Sequence, residues 1–122
     1  MARILIIEDD APSRQLAEYL LSHAGHEVIT ADNGLLGLLR ALTEAPELIL
    51  CDLQIPQLDG YQLLERLRAD RRWRRVPLVA LTAFSMIGDR ERILEAGFDG
   101  YLSKPITPEG FAGEVARFLT PG

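Results

Sequence analysis

Five polar side chains of this chain directly follow short apolar runs, and together they could carry out phosphate chemistry. They are Glu8, Asp9, Asp52, Thr82 and Lys104. Carboxylates packed together repel one another, so such a cluster calls for a cation, and Mg²⁺ suits a few carboxylates combined with water. A carboxylate can also attack phosphorus, while an ammonium group and a hydroxyl can bind the phosphoryl oxygens. No cluster of His or Cys is available for zinc, because His23 and His26 lie near the end of the first predicted helix.

Each of these residues also has an ordinary structural explanation. An Asp after a strand is usually a turn or cap residue, a single Thr is often an N-cap, and a single Lys is usually solvated. Independent structural causes would not be expected to place all of them at one edge of one sheet. The combination therefore favours a site.

Apolar strands and amphipathic helices alternate along the chain, which predicts an α/β fold with a five-stranded parallel sheet covered on both faces. The predicted strands are 4–7, 27–31, 48–51, 76–81 and 101–102. The predicted helices are 15–24, 34–42, 61–68, 89–96 and 108–119. Asn33 and Thr107 are expected as N-caps, with Pro108 as the first residue of the last helix. Ligands of such sheets bind beyond the carboxyl ends of the strands, where the polar residues fall.

Composition indicates a single globular domain spanning residues 1–122. Hydrophobic residues make up 48% of the chain and charged residues 25%. The net charge of −5 argues against direct binding of nucleic acid. The single cysteine, Cys51, cannot form an internal disulfide, so a reducing, cytoplasmic location is expected. The first apolar run is too short for a signal peptide or a membrane helix.

Four segments of the chain resemble the response-regulator receiver family in sequence, order and spacing. They are ILIIEDD (4–10), LILCDLQIPQLDG (48–60), VALTA (79–83) and GYLSKP (100–105). The resemblance implies a flavodoxin-like (βα)₅ fold with strand order 2-1-3-4-5, which makes strands 1 and 3 neighbours. Neighbouring strands lie about 5 Å apart, so Asp9 and Asp52 are expected to meet.

The resemblance also implies a role for each residue of the cluster. Asp52 is similar to the phosphoacceptor of the family. Asp9 is similar to the direct Mg²⁺ ligand, Glu8 to an acid acting largely through water, and the backbone carbonyl of Gln54 to the third protein ligand. Mn²⁺ is expected to substitute for Mg²⁺. Thr82 and Lys104 are similar to the groups that bind the phosphoryl oxygens.

Outside that cluster, Tyr101 resembles the aromatic switch residue, whose ring turns inward after phosphorylation. The Lys104–Pro105 bond resembles the cis peptide of the family, and X–Pro bonds are where cis is inexpensive. Gln54 and Phe84 occupy positions that vary among receivers and tune phosphoryl lifetime. Phe84 is expected to screen the acyl phosphate from water.

As a function, the resemblance implies a phosphorylation switch. A histidine kinase or a histidine phosphotransfer protein would supply the phosphoryl group, and the surface of helix 4, strand 5 and helix 5 would bind a downstream protein. Two alternatives are open. The first is a small phosphatase that uses an aspartyl phosphate. Such an enzyme usually needs a second Asp where this chain has Gln54, and this chain has no insertion that could enclose a substrate. A flavodoxin-like electron carrier would have to bind a flavin phosphate beside an acidic pocket.

Two further features are interpreted as structural. Six arginines surround Trp73, at positions 66, 68, 71, 72, 74 and 75. They run from the end of the third predicted helix into the start of the fourth strand, at the opposite edge from the predicted site, and cations are favoured near a helix C-terminus. Contact with a partner protein or a second copy of the chain is the alternative. Cys51 is expected to be a small buried hydrophobic residue.

Overall fold

Strands and helices alternate along the chain in the computed structural model, which describes residues 2–73, 75–83 and 89–119. The strands are β1 (Arg3–Ile7), β2 (Glu27–Ala31), β3 (Leu48–Asp52), β4 (Leu78–Thr82) and β5 (Gly100–Ser103). The helices are α1 (Ala11–His23), α2 (Gly34–Glu44), α3 (Gly60–Arg68), α4 (Asp89–Ala96) and α5 (Phe111–Leu119). A short 3₁₀ turn, Arg71–Trp73, follows α3.

The five strands form one parallel sheet in the order β2-β1-β3-β4-β5, which confirms the predicted topology. The last residue of β3, Asp52, is in register with Leu81, and the last residue of β4, Thr82, with Ser103. The carboxyl ends of the strands therefore lie side by side. The edge strand β2 is the farthest from β4 and β5.

Two apolar layers enclose the sheet, because successive strand residues point to opposite faces. Ile4 and Ile6 of β1 join a cluster with residues of α1 and α5. Leu5 and Ile7 join a cluster with residues of α3 and with Ile93 of α4. All four β1 side chains are fully buried, and full burial of a side chain of this size contributes about 1.5–3 kcal/mol. Cys51 is fully buried as well, as expected.

The first helix begins at Ala11, four residues earlier than the predicted start at Gln15. The Asp10 carboxylate accepts a hydrogen bond from the Ser13 N–H at 3.0 Å and so caps the helix. Pro12 fits within the first turn, where its missing N–H costs no helical hydrogen bond. The bonds to Ser13 lower the pKa of Asp10.

The predicted start of the last helix at Pro108, with Thr107 as its N-cap, is wrong. Residues 108–110 form a turn, and α5 begins at Phe111, whose N–H donates to the Thr107 carbonyl at 3.2 Å. Gly110 loses more backbone entropy on entering a helix than other residues do. The helix therefore starts at Phe111, the first side chain of this segment that is buried.

The fourth strand starts at Leu78, two residues after the predicted start at Val76. Pro77 lies between them and has no N–H to donate to the sheet. Its carbonyl still accepts a hydrogen bond from the Ile49 N–H at 3.0 Å.

In the described part of the chain, no helix has the length and apolar character needed to cross a membrane.

Candidate functional site

An acidic cluster lies where β1 and β3 end next to each other. Carboxylate oxygens of Glu8, Asp9 and Asp52 all lie within 4.8 Å of one another, so the expected meeting of Asp9 and Asp52 occurs. Glu8 is 1% exposed and Asp52 is 7% exposed, whereas Asp9 is exposed to solvent. Two acidic side chains are thus taken out of water, and the third is open to it.

Lys104 supplies the opposite charge from the end of β5. Its Nζ lies 2.5 Å from Glu8 Oε1 and 2.7 Å from Asp52 Oδ2. Its backbone N–H donates to the Thr82 carbonyl at 2.9 Å, which fixes the start of this segment against β4. The Lys104–Pro105 peptide bond is cis. The ammonium group therefore bridges the two buried carboxylates.

Burial and charge change the pKa values of this cluster. Burial, together with the nearby Asp52, raises the pKa of Glu8 from 4.5 to about 7, although Lys104 acts against the rise. Burial alone would lower the pKa of Lys104, but its contacts with Asp52 and Glu8 outweigh burial and raise it. Lys104 is therefore a fixed positive charge at neutral pH, and Glu8 is close to its titration point.

The second oxygen of Asp52 is held by the segment that follows β3. Asp52 Oδ1 accepts a hydrogen bond from the Gln54 N–H at 3.0 Å. The Gln54 residue is exposed and lines the same cleft as Asp52. With Oδ2 paired to Lys104 and Oδ1 bonded to Gln54, the orientation of the carboxylate is fixed.

Of the expected binding and switch residues, Thr82 shares the cleft with Asp52, and Tyr101 does not line it. Thr82, 9% exposed at the end of β4, lines the cleft. Tyr101 is half-buried, and the Arg90 guanidinium lies 6.0 Å from the centre of its ring. Phe84, expected to screen the phosphoryl group, lies outside the described residues.

The donor set of the cluster fits a hard divalent cation. All three carboxylates offer oxygen, and Mg²⁺ takes such ligands together with water. Both oxygens of the buried Glu8 carboxylate have contacts, Oε1 with Lys104 Nζ and Oε2 with the Asp10 N–H. The cluster is also more acidic than Lys104 alone can neutralise.

An open cleft of about 750 Å³ surrounds the cluster and contains residues that the sequence interpretation missed. They are Asp10, Tyr61, Asp89 and Arg92. Tyr61 lies near the start of α3, and its ring packs edge-on against Phe98 at 5.7 Å. Asp89 and Arg92 are three residues apart on α4, a spacing that places both on one face of a helix. That spacing was visible in the sequence, but the direction of the face was not.

The basic segment after α3 has structural roles wherever its contacts are described. Arg68 donates to the carbonyls of Trp73 and Val76 at 2.7 and 3.0 Å and forms a salt bridge with Asp99. Trp73 is 6% exposed, and its Nε1–H donates to the Ala41 carbonyl at 3.1 Å. These contacts support the structural interpretation of this segment.

The parallel sheet, the acidic cluster and the lysine bridging it are the arrangement of a receiver-type fold. The sequence profile of the response regulator receiver domain matches residues 4–116, and the chain belongs to that family. The polar-differentiation response regulator DivK of Brucella anthropi is 37% identical over 116 residues, which cover 95% of this chain and 94% of that protein.

Solved structures agree with this assignment. The chemotaxis response regulator CheY4 of Vibrio cholerae has a TM-score of 0.91 at 28% identity, with 98% of this chain and 99% of that chain covered. The receiver domain of the sensor histidine kinase PA1611 of Pseudomonas aeruginosa has a TM-score of 0.83 at 36% identity, with coverages of 97% and 93%. That structure has a magnesium ion coordinated in its active site cleft.

Receiver domains are signalling switches that take phosphate from histidine kinases, bind Mg²⁺ at an acidic cluster and act on downstream targets. Glu8, Asp9 and Asp52 form a cluster of this kind. The family assignment therefore favours the signalling switch over the phosphatase and the electron carrier.

Proposed function

We propose that Asp52 accepts a phosphoryl group from a histidine kinase or a histidine phosphotransfer protein. The observation that carries this proposal is the position of the Asp52 carboxylate. It lies between Lys104 Nζ and the Gln54 N–H, beside Glu8 and Asp9, at an open cleft. A carboxylate so oriented is poised as a nucleophile, and phosphoryl transfer depends mainly on positioning and charge neutralisation.

The transfer forms a bond from an Asp52 oxygen to phosphorus while the bond from phosphorus to the donor's histidine nitrogen breaks. Lys104, already 2.7 Å from Asp52, then binds a phosphoryl oxygen with its ammonium group. The Thr82 hydroxyl at the end of β4 donates a hydrogen bond to a second phosphoryl oxygen. Gln54 keeps the carboxylate in orientation through its backbone N–H.

Glu8, Asp9, Asp52 and the Gln54 carbonyl are proposed to hold Mg²⁺, with Mn²⁺ as an expected substitute. When bound, the ion supplies positive charge next to the phosphoryl oxygens. Asp9, the exposed member of the cluster, would be one direct ligand, together with Asp52 and the Gln54 carbonyl. Glu8, at 1% exposure, acts largely through water.

Phosphorylation is proposed to shift the domain between two states, with output through protein contact and not through direct nucleic-acid binding. Drawing Thr82 towards the phosphoryl group makes room for Tyr101 to turn inward from its half-buried position. The surface of α4, β5 and α5 then changes for a downstream protein. Residues 1–122 act as one receiver unit in the cytoplasm, and Gln54 and Phe84 set the lifetime of the phosphoryl group.

The experiment is treatment with acetyl phosphate, with and without Mg²⁺, followed by mass measurement of the intact protein. We expect one phosphoryl group on the wild type in the presence of Mg²⁺, and none on Asp52→Asn. Asp32→Asn is the matched control, because Asp32 is exposed at the end of the edge strand β2 and does not line the cleft. Metal-independent labelling, or equal labelling of Asp52→Asn, would refute the proposal.

A further inference from the structure

Arg92 places a second cation in the cleft that contains Asp52. It lies on α4 directly before Ile93, which is 1% exposed and packed into the core. Ile93 anchors this turn of the helix against the sheet, and both Arg92 and Ile93 line the cleft. Arg92 itself is exposed, so its guanidinium is open to a ligand from solvent.

The charges lining the cleft are out of balance. Among the described lining residues, the acidic side chains are Glu8, Asp9, Asp10, Asp52 and Asp89. The basic ones are Arg92 and Lys104. Lys104 is already paired with two carboxylates, whereas Arg92 forms no salt bridge with any other described residue. Arg92 is therefore the cation of this cleft that remains available for an incoming anion.

Arg92 shares the cleft with Tyr61 of α3. Tyr61 is held in place by its edge-on contact with Phe98. Asp52 and Gln54 line the same cleft as Arg92 and Tyr61. Burial raises the pKa of the Tyr61 hydroxyl, and the positive charge of Arg92 acts against that rise.

We propose that Arg92 binds an oxygen of the phosphoryl group carried by Asp52 and so links α4 directly to the phosphorylated site. This inference rests on the proposed function of Asp52. A guanidinium group presents several N–H donors in a plane and matches phosphate oxygens well. Lys104 and Thr82 approach the phosphoryl group from β5 and β4, so Arg92 adds a contact from a helix. That contact stabilises the phosphorylated state and holds α4 in the position it has in that state.

The test compares Arg92→Gln and Arg92→Lys with the wild type, using fluoroberyllate with Mg²⁺ as a mimic of the phosphoryl group. Arg66→Gln is the matched control, because it removes the same charge from an exposed position on α3 that does not line the cleft. We expect the dissociation constant for fluoroberyllate to rise about fivefold to tenfold in Arg92→Gln, as for loss of one partly exposed charged hydrogen bond. Arg92→Lys should recover part of the affinity, and Arg66→Gln should stay within about twofold of the wild type.

Two further measurements separate a phosphoryl contact from a structural role. The urea midpoint of unfolding and the affinity for Mg²⁺ alone should not weaken in Arg92→Gln. The second-order rate of phosphorylation by acetyl phosphate should fall with the fluoroberyllate affinity. Wild-type affinity in Arg92→Gln would overturn this proposal while leaving Asp52 phosphorylation intact. A wild type that takes up no phosphoryl group at all would overturn both proposals.

Discussion

Replacing Glu8 by Gln should change how the stability of the metal-free protein depends on pH. Glu8 is buried at 1% exposure beside Asp52, and its pKa is raised from 4.5 to about 7. In the unfolded chain, the pKa of Glu8 returns to its ordinary value of 4.5. Between these two values the folded state binds more protons than the unfolded state, so the stability of the wild type falls as pH rises through this window.

The size of the effect follows from the pKa difference. About 2.5 pH units at 1.36 kcal/mol each amount to about 3 kcal/mol, of which about 2 to 3 kcal/mol falls between pH 5 and pH 8. Gln cannot ionise, so the free energy of unfolding of the variant does not fall with pH for this reason. It can still accept the hydrogen bond that Glu8 Oε2 accepts from the Asp10 N–H. The ion pair with Lys104 forms only when Glu8 is ionised, so its loss is already contained in the pKa of about 7 and adds no separate cost at low pH.

The measurement is urea unfolding in EDTA at pH 5, 6, 7 and 8, for the wild type, Glu8→Gln and Glu65→Gln. Glu65 is exposed on α3 and serves as the control for loss of one carboxylate. The free energy of unfolding of Glu8→Gln, relative to the wild type, should improve by about 2 to 3 kcal/mol from pH 5 to pH 8. A difference that stays constant over this range would refute the reasoning that burial holds the proton on Glu8.

Three other changes test the site and its supports. Mg²⁺ at about a hundred times its dissociation constant should raise the wild-type free energy of unfolding by about 2.7 kcal/mol, and by less at the same concentration in Asp9→Asn, as measured by urea titration at pH 8. Arg68→Met should lower stability by about 2 to 3 kcal/mol, because it removes one charged donor from two backbone carbonyls and from Asp99. Trp73→Phe should cost about 1 to 3 kcal/mol through the unpaired Ala41 carbonyl, and thermal unfolding can check both.

The sequence predicts the sheet well because its strands are continuous apolar runs, and such runs have few alternative structures. It also predicts that the polar residues at the strand ends share one edge, since the carboxyl ends of parallel strands lie together. Which of them are neighbours depends on the strand order, which the family resemblance implied and the structure confirms. The boundaries of helices are harder to predict from the sequence. Asp10, for example, caps α1 through a side-chain hydrogen bond that a hydrophobic pattern does not encode.

Residues that reach the cleft from a helix are harder to predict than residues at strand ends. The i, i+3 spacing of Asp89 and Arg92 defines a face, but its direction depends on how Ile93 packs. A similar limit applies to Gly34, where a Cβ atom would lie 1.8 Å from the Leu58 carbonyl oxygen. This close approach of α2 to the loop after β3 is a result of tertiary packing. The sequence therefore shows a glycine at position 34 but not why a larger residue would not fit there.

The charge balance of the cluster explains why phosphorylation of Asp52 should require a metal. Three carboxylates lie within 4.8 Å of one another, and Lys104 is the ammonium that bridges the two buried ones. A phosphoryl group brings further negative charge, about −1.5 to −2 near neutral pH for a phosphate ester. Lys104 cannot offset both the existing carboxylates and the new oxygens, and a buried excess of negative charge is costly. The proposed phosphorylation is therefore expected to need a second source of positive charge, which a divalent cation would supply.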